Sequence, residues 1–427
     1  MIYGILILYW LLWIILSYVL MRNTDSFSIF NPITMVVTLI FIGTVLKLSY
    51  LAFFADSLFL NKNMLNHEPF VLVLGTFCLS VFMFFLILGF FSVGKVHNLR
   101  LPALVRISYR GGQIWSLLVI GGIILIALFS LYAFIDSSGG LVNFSAKRFL
   151  GQDLLPSDRL ESSGYLYFKL AQVSEISFYV SAFFYFVRKG YSKIWFVFAV
   201  VSFVCAVSTA MMFSNRVAIL ILLIDFMLIY SFFNVKKAVR FGIYLGGGLL
   251  VLILVTSALR DGGGDKGILD HFFGGKYLAD ITRISIIVDY LAKGGLFSDE
   301  FSSFGGFINS YMNRGRFVGE NIYGTIGSGV PLGGVAELYS YLGIASIGSG
   351  AFFIGLIFRF VFRCLRSYKV SMFIFLFVIL LYSRLVVFIF NNGMGVAVYQ
   401  IFMDVVPLII ISVLLQFNTK KDMYVYR

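Results

Sequence analysis

The sequence predicts an all-α polytopic integral membrane protein of about eleven transmembrane helices, with a large outer loop in its C-terminal half. Three observations predict it: the composition, the spacing of the apolar runs and the distribution of the cations. Of 427 residues, 60% are hydrophobic, 18% aromatic and only 12% charged, and the mean hydropathy is +0.96. A soluble domain is about 45–50% apolar and about 25% charged. The same composition excludes disorder, collagen, coiled coils and secreted disulfide scaffolds.

Apolar runs place spans near 2–20, 34–54, 69–91, 115–135, 165–186, 194–213, 217–233, 240–258, 333–361, 371–391 and 395–417. Each approaches the roughly 20 residues a crossing requires. The run 333–361 is too long for one straight helix and starts glycine-rich, so a re-entrant piece from about 324 is expected ahead of the true span. Residues 2–20 read as a retained first span, because no basic start or small-residue cleavage site accompanies them.

The net charge of +13 gains its meaning from where the cations fall. Placing the 92–114 loop (Lys95, Arg100, Arg106, Arg110) in the cytoplasm, alternation brings four more groups to the same side. They are Arg188/Lys189/Lys193, Lys236/Lys237/Arg240, Arg359/Arg363/Arg366/Lys369 and the tail with Lys420, Lys421 and Arg427. Such loops face anionic lipid, which puts the N-terminus outside and the C-terminus inside. No basic run is interleaved with aromatics on a polar face, so nucleic acid is not an expected partner. Cys78, Cys205 and Cys364 are scattered, with neither metal spacing nor a disulfide framework.

The whole chain, 1–427, reads as one membrane domain. Its cytoplasmic loops are too short to hold a nucleotide-binding domain. Outside, a medium loop covers 136–164 and a long one covers 259–332. Long unstructured loops are uncommon unless functional or disordered. The apolar stretch from Tyr277 to Leu296 predicts a helix there and a folded cap over a cleft. Motifs for phosphate loops, zinc peptidases and nucleophile elbows are missing from the sequence. His67, His97 and His271 are far apart, which argues against a multi-histidine metal site. The run Asp261–Asp265 reads as a flexible connector.

The informative signal is arginine on the outer side. Arg216 follows Ser214-Asn215 at the mouth of a hairpin; Arg260 closes the eighth span; Arg283 lies in Ile281-Thr282-Arg283; Arg314 and Arg316 flank Gly315. Arg384 interrupts the tenth span about 10 Å from its outer end by helix rise, where a cation costs at least about 2.5 kcal/mol without a polar cavity or partner. Arg216 and Arg260 alone are compatible with interfacial snorkelling. Arg283, Arg314 and Arg316 are compatible with solvated loop charges, and Arg384 with an ion pair to Asp404 or Glu337. Taken together they suggest an anion at the outer leaflet, since guanidinium is a permanent, planar phosphate ligand.

Carboxylates complement them. Glu337 is costly near the outer end of the ninth span, whereas Asp280 can simply pair with Arg283 at i+3. Glu337, His271 or Asp289 are the candidates to deprotonate a sugar hydroxyl. Tyr277, Tyr290 and Tyr311 are candidates to stack on sugars, against the plainer reading of packing and interface anchoring. Lys47, Lys169, Glu175, Asp225 and Asp404 are further intramembrane charges, suited to bundle pairing (Lys47 with Glu175, for instance) or to a transport path.

In the order and sidedness of these elements the chain resembles the O-antigen polymerases, the Wzy-type polymerases of oligosaccharide repeat units. Ser214-Asn215-Arg216 is similar to the family's small-residue-plus-arginine element, and Thr282-Arg283 to its loop arginine. Pro331-Leu-Gly-Gly-Val-Ala-Glu337-Leu-Tyr-Ser-Tyr-Leu-Gly343 resembles its return into the membrane, and Arg384 with Asn391-Asn392-Gly393 its late hairpin. The resemblance covers most of the chain in architecture and implies a GT-C-like glycosyltransferase of the bacterial inner membrane, active on the periplasmic side. Donor and acceptor would be undecaprenyl-diphosphate-linked oligosaccharides, with no cofactor and no metal. Arg216, Arg283 and Arg384 would act in catalysis with Glu337, His271 or Asp289. Arg260, Arg314, Arg316, Tyr290 and Tyr311 would bind substrate. Membrane lipids, a chain-length regulator and a flippase are the further partners to consider. An O-antigen ligase, a flippase or transporter, and a structural scaffold are the rival readings. The transporter predicts an internal repeat, and the scaffold leaves Arg384 unexplained.

Overall fold

A computed structural model of the chain describes residues 2–23, 32–46, 49, 69–93, 106–109, 112–137, 162–187, 192–212, 216–234, parts of 237–248, 281–293, 333–366, 369–391, 394–416 and 423–426. In chain order the elements are α1 (Ile2–Asn23), α2 (Pro32–Ile40, continued by a π-helical stretch Phe41–Leu46), α3 (Pro69–Ser92), β1 (Arg106–Tyr109), α4 (Gln113–Ser137), α5 (Ser162–Val187), α6 (Ser192–Met212) and α7 (Arg216–Phe233). There follow α8 (Ile281–Ala292), α9 (Gly334–Leu342), α10 (Ile344–Arg366), β2 (Lys369–Ser371), α11 (Met372–Asn391), α12 (Met394–Gln416) and β3 (Met423–Tyr426). The protein is thus an all-α multi-pass membrane protein with one small sheet.

Six helical stretches among the described residues are long and apolar enough to cross a bilayer: Val73–Ser92, Ile114–Asp136, Leu166–Val187, Ser192–Ala210, Ile344–Cys364 and Ala397–Gln416. Met35–Leu46, Ala218–Phe233 and Met372–Val387 are shorter apolar helices. Most expected spans have a helix within a few residues of their predicted ends. The run 333–361, expected to be too long for one straight helix, is two helices, α9 and α10, separated at Gly343, whose φ of 65° closes α9. A left-handed residue cannot continue a right-handed helix, and glycine adopts it without steric cost. The crossing helix therefore begins at Ile344, and the piece ahead of it is nine residues long. Of the expected span 240–258, residues 240–242, 244 and 247–248 are described and helical; the rest of it and most of the loop 259–332 lie outside the described residues.

Two compact units divide the chain. The first comprises Met1–Leu101, Asp265–Arg363 and Arg384–Tyr399. In it α3 is the central helix. The Tyr9 hydroxyl of α1 donates to the Thr76 carbonyl at 2.5 Å and bonds Ser80 at 2.8 Å. Trp13 of α1 stacks on Phe41 at 4.1 Å between centroids. Gly89 of α3 lies against the Phe352 carbonyl of α10, and Gly355 of α10 lies against the Leu86 carbonyl. Small residues let two backbones approach where lipid supplies no hydrophobic drive between helices. Arg359 completes this pair: its Nε donates to the Val93 carbonyl at 3.1 Å and its guanidinium lies over the Phe90 ring at 5.4 Å. An arginine placed by sequence among loop cations instead serves the end of α3, where carbonyls lack helical partners.

The second unit comprises Pro102–Gly264, Cys364–Ser383 and Gln400–Arg427. Helices α4, α5 and α6 pack together, with α7 against α5 and α6. Phe183 and Phe186 of α5, Phe233 of α7 and Phe375 of α11 form an aromatic cluster at one end. The Trp115 indole donates to the Leu414 carbonyl at 2.8 Å, linking α4 to α12. The sheet has strand order β2-β1-β3, parallel for β1–β2 and antiparallel for β1–β3. Its rungs alternate: Arg106 with Lys369 and Tyr426, Ile107 with Val370 and Val425, then Ser108 with Ser371 and Tyr424. Three segments distant in sequence therefore meet at one end of this unit. They are three of the five segments that the charge pattern places on one side: the 92–114 loop, the segment near Lys369 and the C-terminal tail.

Candidate functional site

The helix expected between Tyr277 and Leu296 is α8, and most of its described side chains are buried. Ile281, Ile284, Ser285, Ile287, Val288 and Leu291 are all buried. Its strong apolar content has a packing cause: α8 lies against α3 and against α9. The closest point is Gly75, where a Cβ would run into the Ser285 side chain. Arg283 is the third residue of α8, so its backbone is carried on a helix embedded in the first unit.

Glu337 belongs to α9, next to α8, and is only 1% exposed. Its Oε1 accepts the Gly395 backbone N–H at 3.2 Å and the Tyr341 hydroxyl at 3.3 Å. A carboxylate at such a depth is costly unless paired or hydrogen-bonded. These donors explain how it is tolerated, and they tie α9 to the start of α12. Asp289, on α8, is 5% exposed and pairs with Lys293 at 2.8 Å, an i,i+4 bridge whose lysine is solvent-facing. Tyr290 beside it is half-buried.

Arg384 lies in α11, seven residues before Asn391, and is 1% exposed. It is among the largest fully buried side chains of the described residues and is engaged by its neighbours. Tyr382 and Ser383 beside it are buried too. Arg384, Gly395 and the helices carrying Arg283, Asp289 and Glu337 all belong to the first unit. The structure thus brings together in one unit the elements bearing four of the six catalytic candidates.

Arg216 opens α7 in the second unit. His271, Arg260, Arg314, Arg316 and Tyr311, with Lys47, Tyr277 and Asp280, lie outside the described residues. Among the other intramembrane charges, Asp225 is fully buried in α7, Asp404 accepts from Gln400 at 3.1 Å, and Glu175 accepts from the Tyr179 hydroxyl at 2.6 Å. Sequence reasoning passed over Gln172 and Thr209, which share a cleft with Glu175. Neutral polar residues are common enough in apolar spans that only their helical spacing relative to Glu175 could have drawn notice. No group of three or more metal-ligating side chains is found among the described residues.

No protein-family model matches the chain, and no curated protein or solved structure is significantly similar to it.

Proposed function

We propose that the protein is a glycan polymerase of the bacterial inner membrane. In this reading it transfers a growing oligosaccharide from undecaprenyl diphosphate onto a new lipid-linked repeat unit. The chain crosses the membrane about eleven times, with its N-terminus periplasmic, its C-terminus cytoplasmic and its site on the periplasmic side. The architecture is GT-C-like.

The observation that carries the reading is Arg384. It is an arginine 1% exposed inside an apolar helix, about 10 Å from the helix end by its rise. It shares a unit with the Arg283 helix and with Glu337. An intramembrane arginine marks function by default, and a diphosphate is the anion that a guanidinium fork holds best. Arg283 and Arg384, both in the first unit, neutralise the charge that develops on the departing diphosphate as the glycosidic bond to it breaks. Electrostatic stabilisation of this kind is commonly the largest catalytic contribution. Arg314 and Arg316 hold the lipid-linked substrates, and confinement of both substrates beside Arg283 and Arg384 supplies proximity. Asp289 or His271 takes the acceptor proton. Glu337, with its Oε1 already accepting from two donors, acts first as a positioning residue.

The test is the surface-glycan ladder of the source strain after deletion of the gene and restoration with wild type or Arg384→Ala. Polymerase activity predicts a core bearing a single repeat unit on deletion, with the ladder restored by wild type alone. Bare core with accumulating lipid-linked polymer would assign a ligase instead. Unpolymerised units held on the cytoplasmic side would assign a transporter.

A further inference from the structure

The end of α3 in the first unit carries a concentration of charge that the diphosphate chemistry leaves unused. Arg359 and Arg363 of α10 are one turn apart, at i and i+4, and share a face. Both reach the same atom. Arg359 Nε donates to the Val93 carbonyl at 3.1 Å, and Arg363 Nη2 donates to it at 3.3 Å. Their donor nitrogens are therefore closer together than the roughly 8 Å over which physiological salt screens charge.

The two arginines differ in what they can do next. Arg359 is 6% exposed, and its guanidinium is fixed between the Val93 carbonyl and the Phe90 ring. It is the anchor. Arg363 is exposed, and the Val93 bond uses one of the five N–H donors of a guanidinium. The oxygen it meets is neutral, and the end of a helix supplies only about half a negative charge. The segments that meet here bring no acid: residues 69–135, with α3, and residues 338–403, with α10, contain no Asp or Glu. Further along the same two segments Arg106 and Lys369 are register partners in the sheet, and like charges placed opposite each other are destabilising.

Depth identifies the kind of anion. Ile344 begins the apolar stretch Ile344–Cys364. Arg363 lies about 28 Å further along α10 by helix rise, and the hydrocarbon core of a bilayer is about 30 Å thick. Arg363 is thus at the far boundary of the core, level with lipid phosphates. By the charge rule this is the cytoplasmic leaflet, whose surface is anionic. A guanidinium held at one nitrogen, with further donors at the surface, suits a phosphodiester.

We propose that Arg363, held beside Arg359 on the Val93 carbonyl, is the phosphate ligand of one anionic phospholipid bound where α3 and α10 end together. The site does not depend on the polymerase reading.

The experiment titrates the full-length protein in detergent with phosphatidylglycerol or phosphatidylcholine, and native mass spectrometry counts the lipids retained. Wild type should hold one phosphatidylglycerol more tightly than any further one, and more tightly than phosphatidylcholine. Arg363→Gln should weaken that first binding about fivefold, the loss of one cation at a lipid surface. Lys193→Gln, at an exposed lysine near the start of α6, should leave it unchanged. Thermal melting in nanodiscs gives a second reading, because a ligand of the folded state raises its stability. Phosphatidylglycerol should raise the melting temperature of wild type more than that of Arg363→Gln, while the two should agree in phosphatidylcholine alone. Should Arg363→Gln melt early even there, Arg363→Lys carries the titration: it keeps the charge, loses the fork and should still bind phosphatidylglycerol more weakly. Equal weakening in Arg363→Gln and Lys193→Gln, or equal binding of the two lipids, would reduce the effect to general surface charge and overturn the site. Inorganic phosphate, added to phosphatidylcholine nanodiscs at matched ionic strength, should not raise the melting temperature. A rise equal to that with phosphatidylglycerol would assign the site to free phosphate and overturn the lipid.

Discussion

Glu337 accepts the backbone N–H of Gly395 at 3.2 Å across 58 positions of sequence. The bond joins a short helix ahead of α10 to the first turn of α12, eleven positions after Arg384 in sequence. It fixes the local geometry of the first unit around the buried arginine's helix end. The prediction is a split between two substitutions. Glu337→Ala removes the carboxylate that the Gly395 N–H and the Tyr341 hydroxyl share in a part-buried setting, a loss of about 1–3 kcal/mol. Glu337→Gln keeps a carbonyl oxygen there and should melt close to wild type in detergent. As a positioning residue, Glu337→Gln should also support a normal ladder. A stable Glu337→Gln protein that makes no polymer would make Glu337 the base.

Arg384 should respond differently, because its value lies in charge and in fork geometry. Arg384→Lys keeps the charge but cannot present two parallel donors. Turnover of purified lipid-linked units by Arg384→Lys should fall about 10²–10³-fold, the scale seen when one electrostatic donor is removed from a transition state. Its melting temperature should stay near wild type. Unchanged turnover in Arg384→Lys would reduce Arg384 to an ordinary buried cation.

Much of this was legible in the sequence, for physical reasons. Apolar runs of membrane length have few alternatives to helix, because each backbone polar group must find its partner within the segment. The ends of α3 at Pro69 and Ser92 and of α11 at Met372 and Asn391 therefore fall within a residue or two of the apolar boundaries. The helix around Arg283 was visible in its apolar content. That α8 lies against Gly75 was not, because helix contacts in a membrane follow small residues and shape rather than hydrophobicity. Glu337 stood out as an expensive carboxylate, yet its partner is a backbone N–H, and no residue type at position 395 announces that.

The α3–α10 contact yields a stability prediction. A Cβ at Gly89 would meet the Phe352 carbonyl, and one at Gly355 the Leu86 carbonyl. Backbone cannot swing aside as a side chain does. Gly89→Val and Gly355→Val should each lower stability by about 1–3 kcal/mol through overpacking, read as a fall in melting temperature. Gly122, where nothing lies within 4 Å of an added Cβ, should accept alanine with little change. Equal effects at all three positions would mean that the close approach of α3 and α10 is not what the glycines serve.

The sheet makes a prediction about chain topology that does not depend on function. Ser108 and Tyr424 are register partners on antiparallel strands, and such partners have Cα atoms about 4.5–5.5 Å apart, inside the range a disulfide spans. In a background with Cys78, Cys205 and Cys364 replaced by alanine, Ser108→Cys with Tyr424→Cys should oxidise readily under copper phenanthroline and lose its labelling by a maleimide polymer. Ile107→Cys with Met423→Cys is two rungs out of register, about 7–8 Å across the diagonal, and should oxidise far more slowly. Because β1, β2 and β3 share one sheet, cysteines near all three should also share one side of the membrane. With the basic segments inside, Lys421→Cys and Lys369→Cys should both be shielded from an impermeant thiol reagent in intact spheroplasts and react once the membrane is permeabilised. Labelling of one and not the other in intact cells would require an even change in the number of crossings to an odd one between them, and would break the sheet as well as the topology.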